Sequence, residues 1–237
     1  MINLEQIILL AKDQKQNFEN LSDKIEYEDK GVLFSEMFFL FLCINQLKIN
    51  RIIESGRARG QSTLMFAKLF PGKQIISIEH DPNSPDVDVA YQRLKEFNNV
   101  ILKFGDAMAI VPDISQKGDV VFIDGPKGYK ALRFALKLLS TGNFPLVFIH
   151  DTTKGTSERK FLEKYITSAI YSDSLPFARI SHTLDDKKVC LPDELKIDGN
   201  RGYGFSLACI PYEKHVNYRV LLFKAVISGV MHKWFKI

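Results

Sequence analysis

Residues 51–63, Arg-Ile-Ile-Glu-Ser-Gly-Arg-Ala-Arg-Gly-Gln-Ser-Thr, constrain the fold more than any other part of the chain. An apolar run ends in Glu54, two glycines follow, and apolar residues then return at helical spacing. This order predicts a strand, a tight turn and a helix N-terminus. Gly56 and Gly60 let the backbone turn sharply and approach a ligand with no Cβ in the way, while the amides opening the next helix face an electronegative group. Such a turn holds a cofactor. Around it, strand and helix signals alternate from Arg51 to Tyr171, the βαβα order of a doubly wound parallel α/β sheet.

Spacing separates the cofactor classes that use turns of this kind. A phosphate-binding loop has four residues between its glycines and then Lys-Ser/Thr; here three intervene and Gln61 stands at the lysine position. A dinucleotide site favours Gly-x-Gly-x-x-Gly, whereas this chain has Gly56-x-Ala58-x-Gly60. The pattern Glu54-x-Gly-x-Ala-x-Gly resembles the first motif of class I S-adenosylmethionine (SAM) methyltransferases, with Ala58 in place of the central glycine. The resemblance implies a Rossmann-like SAM-methyltransferase sheet and a SAM site in which Glu54, Gly56, Gly60 and Ser62 cradle the amino-acid part of the cofactor.

Downstream residues extend the resemblance. The run Gln74-Ile-Ile-Ser-Ile ends in Glu79, twenty-five positions after Glu54, followed by His80. A fixed carboxylate there accepts two vicinal ribose hydroxyls, as an acid does at a similar distance in dinucleotide sites. The other reading is an ordinary strand-end acid. A third strand stops at Gly105-Asp106-Ala107, and in the family resembled such a segment lines the adenine. Asp106 takes that role, and the plain alternative is the cap of a turn or helix beginning at Ala107.

Two solidly apolar runs, Val-Val-Phe-Ile before Asp124 and Leu-Val-Phe-Ile before His150-Asp151, read as strands covered on both faces. If adjacent, they bring Asp124 and Asp151 together in the crevice where open α/β sheets bind ligands, and two acids there invite a cation. Here the chain resembles the metal-dependent small-molecule O-methyltransferases, which carry Asp-x-x-Lys after the fourth strand and Asp-Asn after the fifth. Asp124 and Lys127 match the first element. Asp151 matches half of the second, but Thr152 stands where the family has Asn. His150-Asp151 is also similar to the macrolide-sugar methyltransferase and cephalosporin-hydroxylase group.

The implied chemistry is transfer of a methyl group from a sulfonium to a hydroxyl of a small molecule or sugar. The protein must hold the nucleophile about 3 Å from the methyl and take its proton. Mg²⁺ between Asp124 and Asp151 would orient the acceptor and lower its pKa. Lys127, desolvated beside a cation, is one candidate base through a lowered pKa, and His150 is the other. A solvated loop lysine and a satisfied strand-end histidine are the plain alternatives. The Asn/Asp-Pro-Pro-Tyr/Phe motif of amino-methylating enzymes is missing, its place taken by Asp124-Gly-Pro-Lys127, which disfavours nitrogen methylation. Two other classes stay open: an oxidoreductase of the cephalosporin-hydroxylase type, and a non-catalytic scaffold suggested by Ala58 and Thr152.

The 237 residues are 46% hydrophobic with a net charge of +4, far from the clustered basic surface of a nucleic-acid binder. Cys43, Cys190 and Cys209 are widely separated in sequence, which suggests reduced thiols rather than zinc or a disulfide framework. The start, Met-Ile-Asn-Leu-Glu, carries no basic signal region, and a cytoplasmic protein is expected. The organisation read is an N-terminal helical extension (1–34), a methyltransferase-like unit (35–212) and a C-terminal amphipathic helix (213–237). Helices are expected at 4–21 and 34–47, where the resemblance implies a cover for the site or a homodimer contact. Closing strands are expected at 179–183 and 202–210, around a polar loop, 184–201, read as a substrate flap. In the last helix Phe223, Val226, Ile227, Val230 and Trp234 share one face, which suits packing on the core or a partner subunit, or lying on a membrane surface.

Overall fold

Side chains alternate along the strand β1 (Arg51–Ser55), so that Ile52 enters one hydrophobic layer and Ile53 the other. The same alternation runs through β2 (Gln74–Glu79), β4 (Val120–Ile123) and β5 (Leu146–Ile149), where Ile75, Phe122 and Phe148 face the layer of Ile52 and Ile76, Val121 and Val147 that of Ile53. A strand apolar at every position must be covered on both faces, and that demand dictates a three-layer α/β fold. The structure, a computed structural model, describes residues 2–28, 31–186 and 206–235, with side chains through Gly229.

With β3 (Val100–Phe104), β6 (Ile170–Tyr171) and β7 (Ala208–Pro211), the sheet has the order β3-β2-β1-β4-β5-β7-β6. The first five strands are parallel, and β7 runs antiparallel to β5 and to β6. Sequence order reverses between β1 and β4, so the carboxyl ends of these two strands open the crevice in which such sheets bind ligands.

One face is covered by α1 (Leu4–Ser22), α2 (Phe34–Asn45), α3 (Gln61–Leu69) and α8 (Leu175–Ser181). Eleven of the twelve residues of α2 are buried, as expected of its unbroken apolar run. Phe18 of α1 packs against Phe38 and Phe41, with ring centroids 5.0 and 5.8 Å away, so α1 is part of this core. The other face carries α5 (Ala107–Ile114), α6 (Gly128–Leu139), α7 (Ser157–Tyr165) and α10 (Tyr218–Phe235). Two further helices, α4 (Asp86–Leu94) and α9 (Thr183–Asp186), complete the described elements. Cys43 and Cys209 are buried neighbours, and burial pushes the Cys43 thiol up, with Cys209 adding to the shift. Cys190 lies outside the described residues.

Two expectations are corrected. Residues 179–183 run from the end of α8 through a turn at His182 to the start of α9, because Ser174 and Pro176 open a helix whose Phe177, Ala178 and Ser181 face the core. The second closing strand is shorter than expected, and 202–205, with most of the predicted loop, lie outside the described residues. The last helix forms, but it packs on α6 through Tyr218, Leu221 and Ala225. Phe223, Val226 and Ile227 face outward. The side chains of Val230 and Trp234 lie outside the described residues. No helix among the described residues is long and apolar enough to cross a membrane.

Candidate active site

The turn after β1 is held by backbone geometry that its sequence permits. Gly56 has φ +90°, and a Cβ there would stand 2.8 Å from Gly125 N, so the turns after β1 and β4 meet only because position 56 has no side chain. Gly60 caps α3 in the left-handed region. Between them Ala58 also takes positive φ, +44°, at a cost that glycine would avoid. Ser62 Oγ at 2.5 Å, Ser77 Oγ at 2.6 Å and Thr63 Oγ1 all donate to the fully buried Glu54 carboxylate, joining β1, β2 and α3. Burial pushes the Glu54 pKa up and the three hydroxyls hold it back. Glu54 braces the turn from behind.

In front of the turn lies a cavity of about 300 Å³, lined by Gly56, Glu79, His80, Asp106 and Ala107 together with the Gly125-Pro126 turn. Glu79 Oε2 accepts the amides of Arg57 and Ala58 at 3.1 and 2.8 Å, and Oε1 that of His80 at 2.8 Å. Asp106 borders the cavity and also caps α5, its Oδ1 accepting Met108 N at 2.9 Å. Ser62 and Asp124 line a smaller recess of about 40 Å³ with Arg57, Ala58 and Gln61. Gly60 and Glu54 line neither space.

The pairing of β4 with β5, Ile123 beside Ile149, brings Asp124, His150 and Asp151 together as expected of adjacent parallel strands. Lys127 Nζ sits between the two carboxylates, 2.5 Å from Asp124 Oδ1 and 2.6 Å from Asp151 Oδ2. His150 Nδ1 is 2.6 Å from Asp124 Oδ1, and its Nε2 is 3.1 Å from Glu36 Oε2 on α2. Burial works against charge on both partners, yet the contact holds Asp124 at about 2 and, with Glu36, raises His150 to about 10. Lys127 is likewise raised: its burial opposes the charge, and Asp124 and Asp151 overcome it. The expected lowering of the Lys127 pKa and a near-neutral His150 are therefore not found, because each cation faces two carboxylates. Thr152 is buried and turns away from the cluster, its Oγ1 donating to Ile149 O at 2.9 Å.

Residues 14–153, more than half of the chain, match the model of a family described as O-methyltransferase. The chain belongs to the O-methyltransferase family. Among solved structures, that of the O-methyltransferase TomG from Streptomyces achromogenes, involved in tomaymycin synthesis and in complex with SAM, is similar at 18% identity and TM-score 0.52. The match covers 90% of this chain and 92% of that one. An O-methyltransferase from Bacillus cereus in complex with SAH is similar at 16% identity and TM-score 0.51, with 89% and 93% covered. These likenesses show a shared fold. No curated protein sequence matches the chain.

Two further residues at the site carry no motif. Glu36 is 2% exposed, and its Oε2 accepts both Leu33 N, at 3.1 Å, and His150. Its signal was available, since it is the one charged residue between Phe34 and Ile44. Arg57 is the other: its guanidinium donates to Ser77 O at 2.9 Å and lies over the Phe104 ring at 4.9 Å, which anchors the turn to β2 and β3. Nothing in the sequence of a turn with two arginines, Arg57 and Arg59, announces this role.

Proposed function

We propose that the protein transfers a methyl group from SAM to a hydroxyl oxygen of a small molecule or sugar. The carrying observation is that two cavities adjoin the turn after β1. The Glu79 cavity and the Asp124 recess flank the same turn, and Asp124 belongs to the charged cluster at the end of β4. The cavity suits the nucleoside part of SAM: Glu79 stands at its wall as a hydroxyl acceptor, and Gly56 keeps the cradle free of a Cβ. When bound, SAM supplies an electrophilic methyl for in-line displacement by the acceptor oxygen.

Lys127 Nζ and the His150 imidazolium act as donors to the acceptor oxygen, stabilising negative charge as its hydroxyl loses a proton. Asp151, the more exposed carboxylate, at 39% against 23% for Asp124, receives that proton and passes it to solvent. Asp124 keeps both cations in place. The oxygens of Asp124 and Asp151 already clamp one cationic nitrogen. Mg²⁺ held by Asp124 and Asp151 would orient the acceptor oxygen and lower the pKa of its hydroxyl.

Calorimetric titration with S-adenosylhomocysteine tests the reading. We expect micromolar binding by the wild type and at least tenfold weaker binding by Glu79→Ala, because a ribose pair loses its acceptor. Absence of binding by the wild-type protein would refute the proposal.

A further inference from the structure

Packing of α10 on α6 uses only one side of the helix. Tyr218, Leu221 and Ala225 are buried there, while Val220, Phe223, Val226 and Ile227 are exposed at 46%, 66%, 39% and 48%. These four fall at spacings of three, six and seven, one stripe along the outer face, and Phe223 is the most exposed large apolar side chain among the described residues. An apolar stripe that the protein's own core leaves uncovered marks an interaction surface.

Charge decides the occupant. From Lys214 to Ile237 the sequence has no Asp or Glu and five Lys or Arg residues. The supporting helix α6 also has no acid and carries Lys130, Arg133 and Lys137. The ammoniums of Lys164 and Lys224 lie 5.1 and 4.9 Å from the Tyr165 ring centre, adding cations beside the stripe. A second copy docked through the same stripe in a twofold contact would set this cationic face against itself. An anionic lipid surface meets both halves of the pattern, receiving apolar side chains at the acyl boundary and basic ones among its headgroups. We propose that α10 docks the protein on anionic membranes, seating Val220, Phe223, Val226 and Ile227 in the bilayer surface without crossing it.

The test is flotation of the full chain with phosphatidylcholine vesicles that contain or lack phosphatidylglycerol. Binding is expected only with phosphatidylglycerol present, and it weakens as salt is raised. Phe223→Ser with Ile227→Ser should lower the partition coefficient at least tenfold, and Arg219→Ser with Lys224→Ser several-fold. All four positions are exposed, so the thermal midpoint of each variant should match the wild type and loss of binding cannot be laid to unfolding. Equal binding to neutral vesicles, equal binding by the Phe223/Ile227 variant, or no flotation with a dimer that the same variant dissociates would each overturn the proposal.

Discussion

Glu36 Oε2 lies 3.1 Å from His150 Nε2, joining a buried helix of the N-terminal region to the charged cluster at the end of β5. The other side of the imidazole faces Asp124, so His150 is held between two carboxylates from opposite directions. Both ring nitrogens then act as donors, the arrangement of an imidazolium. Glu36→Gln keeps the shape and removes the charge. The His150 pKa should fall from about 10 toward its ordinary 6.5, by about one unit or more. Titration of the His150 ring signals by NMR measures this, and an unchanged midpoint would show that Glu36 is a spectator.

The same cluster sets a pH window for stability. His150 is raised, so its contribution is complete below pH 6.5 and is lost as pH climbs through 10. Asp124 is depressed, so its contribution is present above 3.8 and is lost as pH falls through 2. The two shifts share one contact, which counts once. Urea midpoints should therefore decline between pH 6.5 and 10 more steeply for the wild type than for His150→Gln. Parallel curves would remove His150 from the account.

Opposite outcomes are expected at two neighbouring turn positions. Gly56→Ala places a Cβ 2.8 Å from Gly125 N at positive φ and should cost about 2 kcal/mol or more. Ala58→Gly relieves a left-handed alanine and should stabilise by about 0.5–1 kcal/mol. Thermal melts of both variants check the pair, and a stabilising Gly56→Ala would contradict the close approach of the two turns.

Lys127 Nζ fills the space between Asp124 and Asp151, so a divalent ion bound by both carboxylates would have to displace it. Removing the ammonium by Lys127→Ala should tighten Mn²⁺ or Mg²⁺ binding at least tenfold, about 1.4 kcal/mol. Calorimetry with the metal alone measures it. Unchanged or weaker affinity would mean that the carboxylates do not form a cation clamp.

Where a short segment carries its own geometry, the sequence was readable. The run from β1 through Gly56 and Gly60 to α3 announces itself by composition, and the two strands before Asp124 and His150-Asp151 announce burial on both faces by being apolar throughout, while their adjacency is seen in the sheet pairing. Other features depend on partners far along the chain. Glu36 meets a histidine 114 positions away, and an acid inside an apolar helix shows that it has a partner without naming it. The charge state of Lys127 escaped for the same reason, since burial alone lowers a lysine and only the two nearby carboxylates reverse the sign. Residues 179–183 misled because Ile180 and polar neighbours mimic strand alternation, while the helix start lies upstream at Ser174 and Pro176.

The hydrogen bond from Leu33 N to Glu36 bears on how this chain can be dissected. A truncation at residue 35, the natural place for an engineer to separate an N-terminal appendage, removes a donor to the carboxylate that holds His150, and takes with it the Phe18 ring packed on Phe38 and Phe41. The appendage and the reaction centre are thus not modular. Grafting this site onto another scaffold would have to carry Leu33 and α1 along with it.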